Sequence, residues 1–345
     1  MEKIDIKSLN ISELEEKLND LNLPKFRAKQ IYLWLRKGVG SFDEMSNLPK
    51  NLRETLCNIF EIRGVKIKKR LESSVDDTVK YLYELCDGEC IESVVMKYHH
   101  GYTVCISSQV GCRMGCSFCA SGIDGLFRNL TPSEMLAQVE MAGKDNGVRI
   151  SNVVMMGMGE PLDNFENTVR FLELVSDEQG LNIGLRHISV STSGVVPKIY
   201  SLMETGYPVT LSISLHAPTN KIRDKIMKVN HAYPVETLLK ACREYTENTR
   251  RRISFEYALI SGVNDTDECA EILAKKLKGM LCHLNLIPAN PVKENSFSRP
   301  NDNTVHIFCE LMKSKGINTT VRRTLGSDID ASCGQLRRKS REEGL

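Results

Sequence analysis

Strand-like and helix-like segments alternate along the chain from residue 102 to residue 323. The predicted strands cover residues 102–107, 151–156, 186–191, 208–214, 252–259, 281–287 and 317–323. The predicted helices cover residues 132–143, 165–175, 195–204, 234–247, 265–276 and 302–314. Strands joined by helices in this order build a parallel sheet or a barrel. Six such units are too few to close an eight-fold barrel, so the sequence predicts an α/β fold with an open, partial (β/α)6 barrel.

The chain before this alternation has other periodicities. Apolar residues recur at helical spacing in the first sixty residues, with Leu14 and Leu18 on one predicted face and Phe26 and Ile31 on another. From Val65 to Tyr98 the apolar period is two, which is typical of short antiparallel strands. Four parts follow: a helical accessory domain at 1–62, a β-rich connector at 63–98, the partial barrel at 99–323 and a C-terminal segment at 324–345.

Composition limits the class of protein. With 41% hydrophobic and 26% charged residues in 345, the chain has the composition of a soluble globular protein. Its start, MEKIDIKSLN, lacks the apolar core of a signal peptide, and no stretch approaches the eighteen or so apolar residues of a membrane span. The expected protein is cytoplasmic, makes no membrane contact and is a monomer by default.

Charge is distributed unevenly along the chain. Residues 24–70 contain twelve Lys and Arg against four Asp and Glu, and residues 313–345 contain eight against four. The middle of the chain is acidic, with thirty Asp and Glu against twenty-three Lys and Arg in residues 71–312. Basic ends favour a polyanionic partner such as a nucleic acid, although basic helices can also be merely solvated.

Three cysteines with C-x3-C-x2-C spacing follow the first predicted barrel strand, at Cys112, Cys116 and Cys119. Four thiolates would saturate an iron–sulfur cube or a tetrahedral zinc ion, whereas three leave one metal position open for a small molecule. Gly111 and Gly115 suit the tight turns with positive φ that such a loop needs. The alternative is a zinc knuckle completed by a histidine, although zinc sites usually have other spacings.

Polar residues stand where the other predicted strands end. Met156-Gly-Met-Gly-Glu160-Pro161 follows the second strand and Ser191-Thr192-Ser193-Gly194 ends the third. Ser214-Leu215-His216 ends the fourth strand, and the sixth runs into Asn290-Pro291. Any one of these could be a helix cap, but functional groups of parallel α/β folds collect at the carboxyl ends of the strands. We expect these groups to share one rim with the three cysteines.

These motifs resemble those of two nested families. The cysteine spacing, with Phe118 before the third cysteine, resembles the cluster motif of the radical S-adenosylmethionine (AdoMet) superfamily. From Glu92 to the C-terminus the chain resembles the family that methylates C2 of adenosine in RNA. The basic N-terminal helices resemble that family's accessory RNA-binding domain. The matching strings are SSQVGCRMGC, GLFRNLTP, MGMGEPL, STSGVVP, ISLHAP, GVND, NLIPANP and DIDASCGQL.

The resemblance implies a set of cofactors and partners. One 4Fe-4S cluster in the loop 108–121 would be held by Cys112, Cys116 and Cys119, with AdoMet on its fourth iron. The implied substrates are 23S rRNA, at the peptidyl-transferase centre, and tRNA, at the adenosine 3′ of the anticodon. A flavodoxin- or ferredoxin-type protein would supply electrons. The AdoMet contacts implied by position are Gly159, Glu160, Ser191, Ser214, Leu215, His216 and Asn290.

The resemblance also implies a radical mechanism with two accessory cysteines. Cys333 would take a methyl group from one AdoMet, and a second AdoMet would be cleaved to a radical that activates this S-methylcysteine. The activated carbon adds to C2, so that protein and RNA become covalently joined. Cys105 would then attack Cys333 and form a transient disulfide. Glu92 matches the position of the proton acceptor, but Cys105 could take that role, and Glu92 could instead be a solvated edge-strand residue.

Three other functions remain open at the level of sequence. A sister family methylates C8 of the same rRNA adenosine and confers antibiotic resistance. It shares the cluster and both accessory cysteines, but Pro161, Val110 and the pair Arg322-Arg323 favour the C2 family. A non-catalytic RNA-binding protein with a structural cluster would not use Cys333. A radical enzyme acting on a small metabolite would not need the basic ends. Arg322, Arg323, Arg337 and Arg338 flank the Cys333 segment and suit RNA phosphates.

Overall fold

A computed structural model describes residues 3–289, 297–329, 331 and 336. The helices are α1 Ile11–Asn19, α2 Lys25–Arg36, α3 Lys50–Ile59, α4 Pro132–Asn146, α5 Phe165–Val175, α6 Val196–Glu204, α7 Asn220–Ile226, α8 Val235–Thr249, α9 Asp267–Leu277 and α10 Asp302–Ser314. The strands are β1 Ile4–Asp5, β2 Phe60–Glu61, β3 Lys66–Glu72, β4 Val79–Glu84, β5 Cys90–Tyr98, β6 Gly101–Cys105, β7 Gln109–Gly111, β8 Leu126–Asn129, β9 Ile150–Met155, β10 Ile188–Thr192, β11 Thr210–Ser214, β12 Ile253–Leu259, β13 Cys282–Pro288 and β14 Thr319–Val321.

Helices α1 to α3 enclose a hydrophobic core of their own. Helix α1 begins at a capping box, in which the Asn10 side chain accepts from the Glu13 amide and the Glu13 carboxylate accepts from the Asn10 amide. Leucines of α1 and α3 and the apolar face of α2 meet in this core. Phe26, predicted on the buried face of α2, is instead 56% exposed. The helical unit contacts the barrel through a buried ion pair between Lys7 and Glu140 of α4.

One ten-stranded sheet runs through the remainder of the chain. Its order is β14-β13-β12-β11-β10-β9-β6-β5-β4-β3, in which β6 and β9 to β14 are parallel and β3 to β6 are antiparallel. Helices α4, α5, α6, α8, α9 and α10 connect successive parallel strands. The predicted α/β fold with an open partial barrel is confirmed, and its largest hydrophobic cluster joins the sheet to these helices.

Every predicted barrel strand and helix overlaps an observed one. Helices α5 and α10 have the predicted bounds, and α4 begins at Pro132 with the capping box expected from the Thr131 sequence. The sequence did not predict α7 or the hairpin of β7 and β8. These elements have three to seven residues, which is too short for a hydrophobic period to be recognised.

The connector strands extend the barrel sheet; β4 and most of β5 are buried on both faces, whereas the edge strand β3 is largely exposed. In β4, Lys80 and Leu82 alternate with Val79 and Tyr81, and all four are buried. Leu336 packs against Leu82 and Cys90, so residues from the C-terminal segment cover the face that contains Leu82. None of the described helices is long and apolar enough to span a lipid bilayer.

Candidate active site

A cavity of about 290 Å³ opens at the carboxyl ends of the parallel strands. The three cysteines of the C-x3-C-x2-C loop line one side of it. Strand-end residues line the other side, as expected for a parallel sheet. Of the residues predicted to hold the cluster or AdoMet, eight line this cavity: Cys112, Cys116, Cys119, Gly159, Glu160, Ser191, Ser214 and His216. Leu215 lies behind the cavity with its side chain fully buried in the barrel core.

The cysteine loop is shaped by the β7–β8 hairpin and by tight turns. Gly111 and Gly115 have φ of +80° and +63°, the left-handed conformations predicted for this loop. A Cβ atom on Gly111 would overlap the Gly125 carbonyl oxygen, and the Cys112 amide donates to that same oxygen at 2.9 Å. The far end of the loop is tied to α7, since the Ser117 amide donates to the Ile226 carbonyl at 2.9 Å.

The three thiols suit a cluster better than any single ion. They line one cavity, and burial raises the pKa of the Cys112 thiol to about 12 and that of Cys116 further. Thiols in this environment become thiolates when a cation binds them. Among the described residues, no group of three or more His, Cys, Asp or Glu is arranged to hold one metal ion. An iron–sulfur cube places a different iron at each thiolate, so it fits three thiols spaced around a cavity.

The glycine-rich loop after β9 lies directly on the chain that enters the cysteine loop. Gly159 has φ of +103°, and a Cβ atom there would lie 2.6 Å from the Gln109 Cβ and 2.7 Å from its amide nitrogen. The Glu160 amide donates to the Gln109 side chain at 2.8 Å. The Glu160 carboxylate is buried and accepts from the amides of Leu162 and Ser193, at 3.1 and 2.6 Å. This carboxylate therefore joins the ends of β9 and β10 at the cavity wall.

Arg223 of α7 organises the ends of β10 and β11 and was not singled out from the sequence. Its fully buried guanidinium donates to the carbonyls of Leu215, Ser193 and Ser214, at 3.0, 2.6 and 3.1 Å. Burial lowers the pKa of Arg223 to about 10, so it remains a cation at neutral pH. The Cys116 thiol opposes this shift, which places a fixed positive charge near the cysteine loop.

His216 is a neutral hydrogen-bonding group of the cavity. Burial and the neighbouring Arg223 lower the pKa of His216 to about 3. Its Nδ1 accepts from the Ala258 amide at 2.8 Å, which assigns the ring proton to Nε2. The ring packs edge-on against Phe118 of the cysteine loop, with centroids 4.9 Å apart. His216 thus links the β11 end, β12 and the cysteine loop.

Glu256 of β12 is a second cavity residue that sequence reasoning missed. Its carboxylate accepts from Ser254 at 2.8 Å and from the Asn285 amide at 2.7 Å, and burial raises its pKa. Glu256 stands in the otherwise apolar string Ile253–Leu259. A carboxylate inside a buried strand is rare and could have drawn attention to it. Arg223, on a short helix without clear periodicity, gives no such signal.

A second cavity adjoins the first. Cys105 lines it, together with the apolar side chains of β5 and residues that follow β14. Met156, Ile287 and Arg322 line both cavities, so they form a shared wall. Cys333 and Asn290 lie outside the described residues. Ala331, which does belong to the described part, lines the Cys105 cavity two positions before Cys333 along the chain.

Glu92 is buried rather than solvated. It lies on β5 between β4 and β6, 2% exposed, and its Oε2 is 3.0 Å from the Nζ of the fully buried Lys80. The alternative of a solvated edge-strand glutamate is therefore wrong. Glu92 does not line either of the two cavities as the structure describes them.

Comparison with known proteins defines the class. The family model described as "Radical SAM superfamily" matches residues 106–274, and that of the "Ribosomal RNA large subunit methyltransferase N-terminal domain" matches residues 4–62. A crystal structure of a radical SAM methyltransferase from Sphaerobacter thermophilus is 44% identical, with a TM-score of 0.92 over 96% of this chain and 98% of that one. The chain therefore has the fold of a radical SAM methyltransferase.

Full-length relatives narrow this class to one family. A probable dual-specificity RNA methyltransferase RlmN from Alkaliphilus oremlandii is 55% identical over 98% of this chain and 99% of its own length. A second, from Lachnoclostridium phytofermentans, is 52% identical over 98% of this chain and 95% of its own length. The chain belongs to the RlmN family of radical SAM RNA methyltransferases.

Proposed function

We propose that this chain methylates C2 of adenosine in both 23S rRNA and tRNA, consuming two AdoMet for each methyl group transferred. The target positions are those expected from the sequence, the peptidyl-transferase centre and the adenosine 3′ of the anticodon. The observation that carries the proposal is the pair of adjoining cavities. One is lined by three cysteines and polar strand ends, the other by Cys105, and Met156, Ile287 and Arg322 separate them.

Cys112, Cys116 and Cys119 would hold the 4Fe-4S cluster. When bound, the cluster supplies the electron that starts radical chemistry on AdoMet. The chain's own residues bind and orient. The backbone at Gly159 and the carboxylate of Glu160 lie where an ammonium group of AdoMet can be accepted. Ser191, Ser214 and the Nε2 proton of His216 offer further hydrogen bonds across the cavity.

Cys333 would carry the methyl carbon and Cys105 would release the product. C2 of adenine lies between two ring nitrogens and is electron-poor, so it does not attack a sulfonium methyl group directly. A protein thiol that first accepts the methyl group solves this difficulty, because thiolates do react with sulfonium carbon. In the release step the Cys105 thiolate attacks the sulfur of Cys333. A disulfide forms as the sulfur–carbon bond breaks, and an external thiol must reduce it.

The identity of the proton acceptor at C2 has two candidates. Glu92 matches the position of the family's proton acceptor, and its carboxylate lies 3.0 Å from the Lys80 ammonium in a buried ion pair. Cys105 lines the second cavity itself. We propose Glu92, and the substitution Glu92→Gln separates the two, because only a Glu92 base predicts slow release of an already formed adduct.

The remaining proposals concern partners. The helical unit at residues 1–62, through its basic helix α2, would contact RNA phosphates together with Arg322 and Arg323 near the second cavity. The electron donor would be a flavodoxin- or ferredoxin-type protein, and the enzyme would act as a cytoplasmic monomer. Methylation at C8 is not favoured, because relatives at 55% and 52% identity are described as dual-specificity enzymes.

The test is nucleoside mass spectrometry of rRNA and tRNA after incubation with anaerobically reconstituted enzyme, AdoMet and a reductant. Methyl groups at C2 of adenosine in both RNAs are expected. Methylation at C8 in rRNA alone would assign the sister activity. Deoxyadenosine without methylated RNA would indicate a radical enzyme with another substrate. If neither deoxyadenosine nor methylated RNA is formed, the result would favour a non-catalytic RNA-binding protein.

Cysteine variants test the roles within the reaction. Cys105→Ala should accumulate a covalent protein–RNA adduct, whereas Cys333→Ala should neither accept a methyl group nor crosslink. Cys309→Ala is the matched control, since Cys309 is buried in α10 away from both cavities. If Cys105→Ala and Cys333→Ala both methylate RNA at the control rate, the two-cysteine mechanism is wrong for this chain.

A further inference from the structure

The turn between β3 and β4 and the chain after β14 bind each other in both directions. Asp328 accepts at Oδ1 from the Ser73 hydroxyl at 2.7 Å, and at Oδ2 from the Ser74 amide and hydroxyl at 2.7 and 2.9 Å. In return, the Asp76 carboxylate accepts from the Gly326 amide at 2.9 Å. We call these five residues, Ser73, Ser74, Asp76, Gly326 and Asp328, the clasp.

The turn half of the clasp is held by its own hydrogen bonds. The Ser73 amide donates to the Thr78 carbonyl at 2.9 Å, and the Thr78 amide donates to Asp76 at 3.0 Å. The Ser73 hydroxyl accepts from the amides of Val75 and Asp76, both at 3.2 Å. Asp328 takes no part in these bonds. The turn is therefore formed without Asp328, and the contribution of Asp328 is to bring the later segment to it.

The other half of the clasp, Gly326 and Asp328, connects to residues that line the Cys105 cavity. The Gly326 carbonyl accepts from the amides of Ile329 and Ala331, at 3.3 and 3.0 Å. Ala331 and Leu325 pack with Val94 and Cys105 in one apolar cluster. The anchored stretch thus ends at the wall of the Cys105 cavity. Two further residues reach Cys333, a distance of at most about 7.6 Å between Cα atoms.

We propose that the clasp is a positioning device that holds the chain leading to Cys333 over the sheet face that carries Cys105. The role given to Cys333 rests on the proposed function, but the anchoring itself does not. The reaction requires that Cys333 be reachable by Cys105 when the product is released. An anchored segment raises the effective concentration of one thiol at the other, whereas an unanchored tail dilutes it over a larger volume.

Both carboxylates of the clasp remain charged in the working pH range. Hydrogen bonds from Ser73 and Ser74 lower the pKa of Asp328 to about 2, and the bonds from Thr78 and Gly326 lower that of Asp76. Two charged groups of the same region, Asp77 and Lys97, pair with each other at 3.3 Å, and Arg322 and Arg323 line the adjoining Cys105 cavity. Charge-assisted hydrogen bonds are the stronger kind, and here they join residues more than 250 positions apart.

The experiment compares Asp328→Ala with Asp77→Ala. Asp77 belongs to the same turn and carries the same charge, but it is 69% exposed and pairs only with a surface lysine in the described structure. Asp328→Asn keeps one acceptor oxygen and provides a milder variant if the alanine protein folds poorly. Asp76 is less suitable, because it also supports the turn internally.

The first readout is the equilibrium between Cys105 and Cys333 in the anaerobically purified holoenzyme, titrated with glutathione buffers and quantified by peptide mass spectrometry. Each protein disulfide formed consumes two thiols and reduces one glutathione disulfide to two glutathione molecules. We expect Asp328→Ala to lower the equilibrium constant for disulfide formation about tenfold, because it removes the hydrogen bonds that Asp328 accepts from Ser73 and Ser74. The equilibrium constant of Asp328→Asn should lie between those of Asp328→Ala and the wild type. Asp77→Ala should match the wild type.

The second readout is amide hydrogen exchange of residues 324–331, which should become faster in Asp328→Ala and remain unchanged in Asp77→Ala. Faster exchange with an unaltered thiol equilibrium would mean that the clasp only stabilises a turn, and it would overturn the proposal. The proposal would also be overturned if Asp328→Ala and Asp77→Ala lowered the disulfide equilibrium constant equally, or if the wild type formed no Cys105–Cys333 disulfide. If RNA is not methylated but Asp328→Ala still lowers the thiol equilibrium, the proposed function fails and the clasp stands.

Discussion

The buried ion pair of Lys80 and Glu92 gives the sharpest test of how the connector strands are built. The two side chains are 0% and 2% exposed, with 3.0 Å between Nζ and Oε2. Lys80→Met keeps the length of the side chain but leaves the Glu92 carboxylate buried beside an apolar group. Removing one partner of such a pair costs about 3–5 kcal/mol. Glu92→Leu should cost a similar amount, because it leaves the ammonium in the same environment.

The double variant Lys80→Met/Glu92→Leu should lose much less stability than the sum of the losses in the two single variants. Replacing both charges by apolar groups of similar volume is often neutral or stabilising, so we expect it within about 2 kcal/mol of the wild type. A chain of this size does not unfold in one step, so the readout is native-state hydrogen exchange of β4 and β5 amides. Each single variant should accelerate exchange about a hundredfold or more, since 1.4 kcal/mol corresponds to a factor of ten.

Two outcomes would refute this reasoning. Single variants that change exchange less than about fivefold would show that the pair contributes little. A double variant whose loss of stability equals the sum of the two single losses would show that the lysine and the glutamate act independently. The double variant also isolates the chemical role of Glu92, because it removes the carboxylate without leaving a buried charge. If it releases methylated RNA at the wild-type rate, Glu92 is not the base.

Three further predictions concern the first cavity. Arg223→Met removes the hydrogen-bond donor of three buried carbonyls, which costs about 1–3 kcal/mol for each carbonyl. The variant should have a lower midpoint of thermal unfolding and a lower AdoMet affinity in equilibrium dialysis. Unchanged AdoMet affinity would contradict the positioning role of Arg223. Gly159→Ala places a Cβ 2.6 Å from Gln109 and should reduce iron and sulfide content after reconstitution. Gly147→Ala, at a left-handed position with open space, should retain full iron content despite a cost of about 1 kcal/mol. Because the pKa of His216 is about 3 in the folded protein and about 6.5 for an ordinary histidine, the unfolded chain binds the extra proton, so stability is lost as pH falls below about 6.5. In urea titrations this loss approaches about 1.4 kcal/mol per pH unit, and His216→Gln should reduce it.

The barrel and its rim could be predicted because their signals are local. Apolar periods and caps identified the strands and helices, and a parallel sheet brings its strand ends together whatever the rest of the chain does. The sequence therefore predicted that the three cysteines and Glu160 share one rim, and they line the first cavity. Resemblance of motifs supplied an expectation that spacing alone could not, the pairing of Cys105 with Cys333, which stays a prediction.

The rest depended on contacts between distant segments. Glu92 could have been a solvated edge-strand residue, but it is buried beside Lys80, and Leu336 packs on the neighbouring Leu82 and Cys90. Arg223 satisfies carbonyls of strands that precede it, a role that no local pattern encodes. The side chain of Leu215 is buried in the core, and its expected contact with AdoMet stays a prediction.

The hydrogen bond from Ser73 to Asp328 joins residues 255 positions apart, and this distance has a consequence for synthesis. While the ribosome is still translating the barrel, β4 and β5 have emerged and can pair, but their cover does not yet exist. The nascent protein therefore exposes Leu82 and Cys90, both buried in the finished molecule, until the last residues leave the exit tunnel. Contacts of such long sequence separation form late and leave apolar strands open to mispairing. A truncation that removes the chain after Arg323 should accordingly bind chaperones more than the full chain does, even though every strand of the sheet is present.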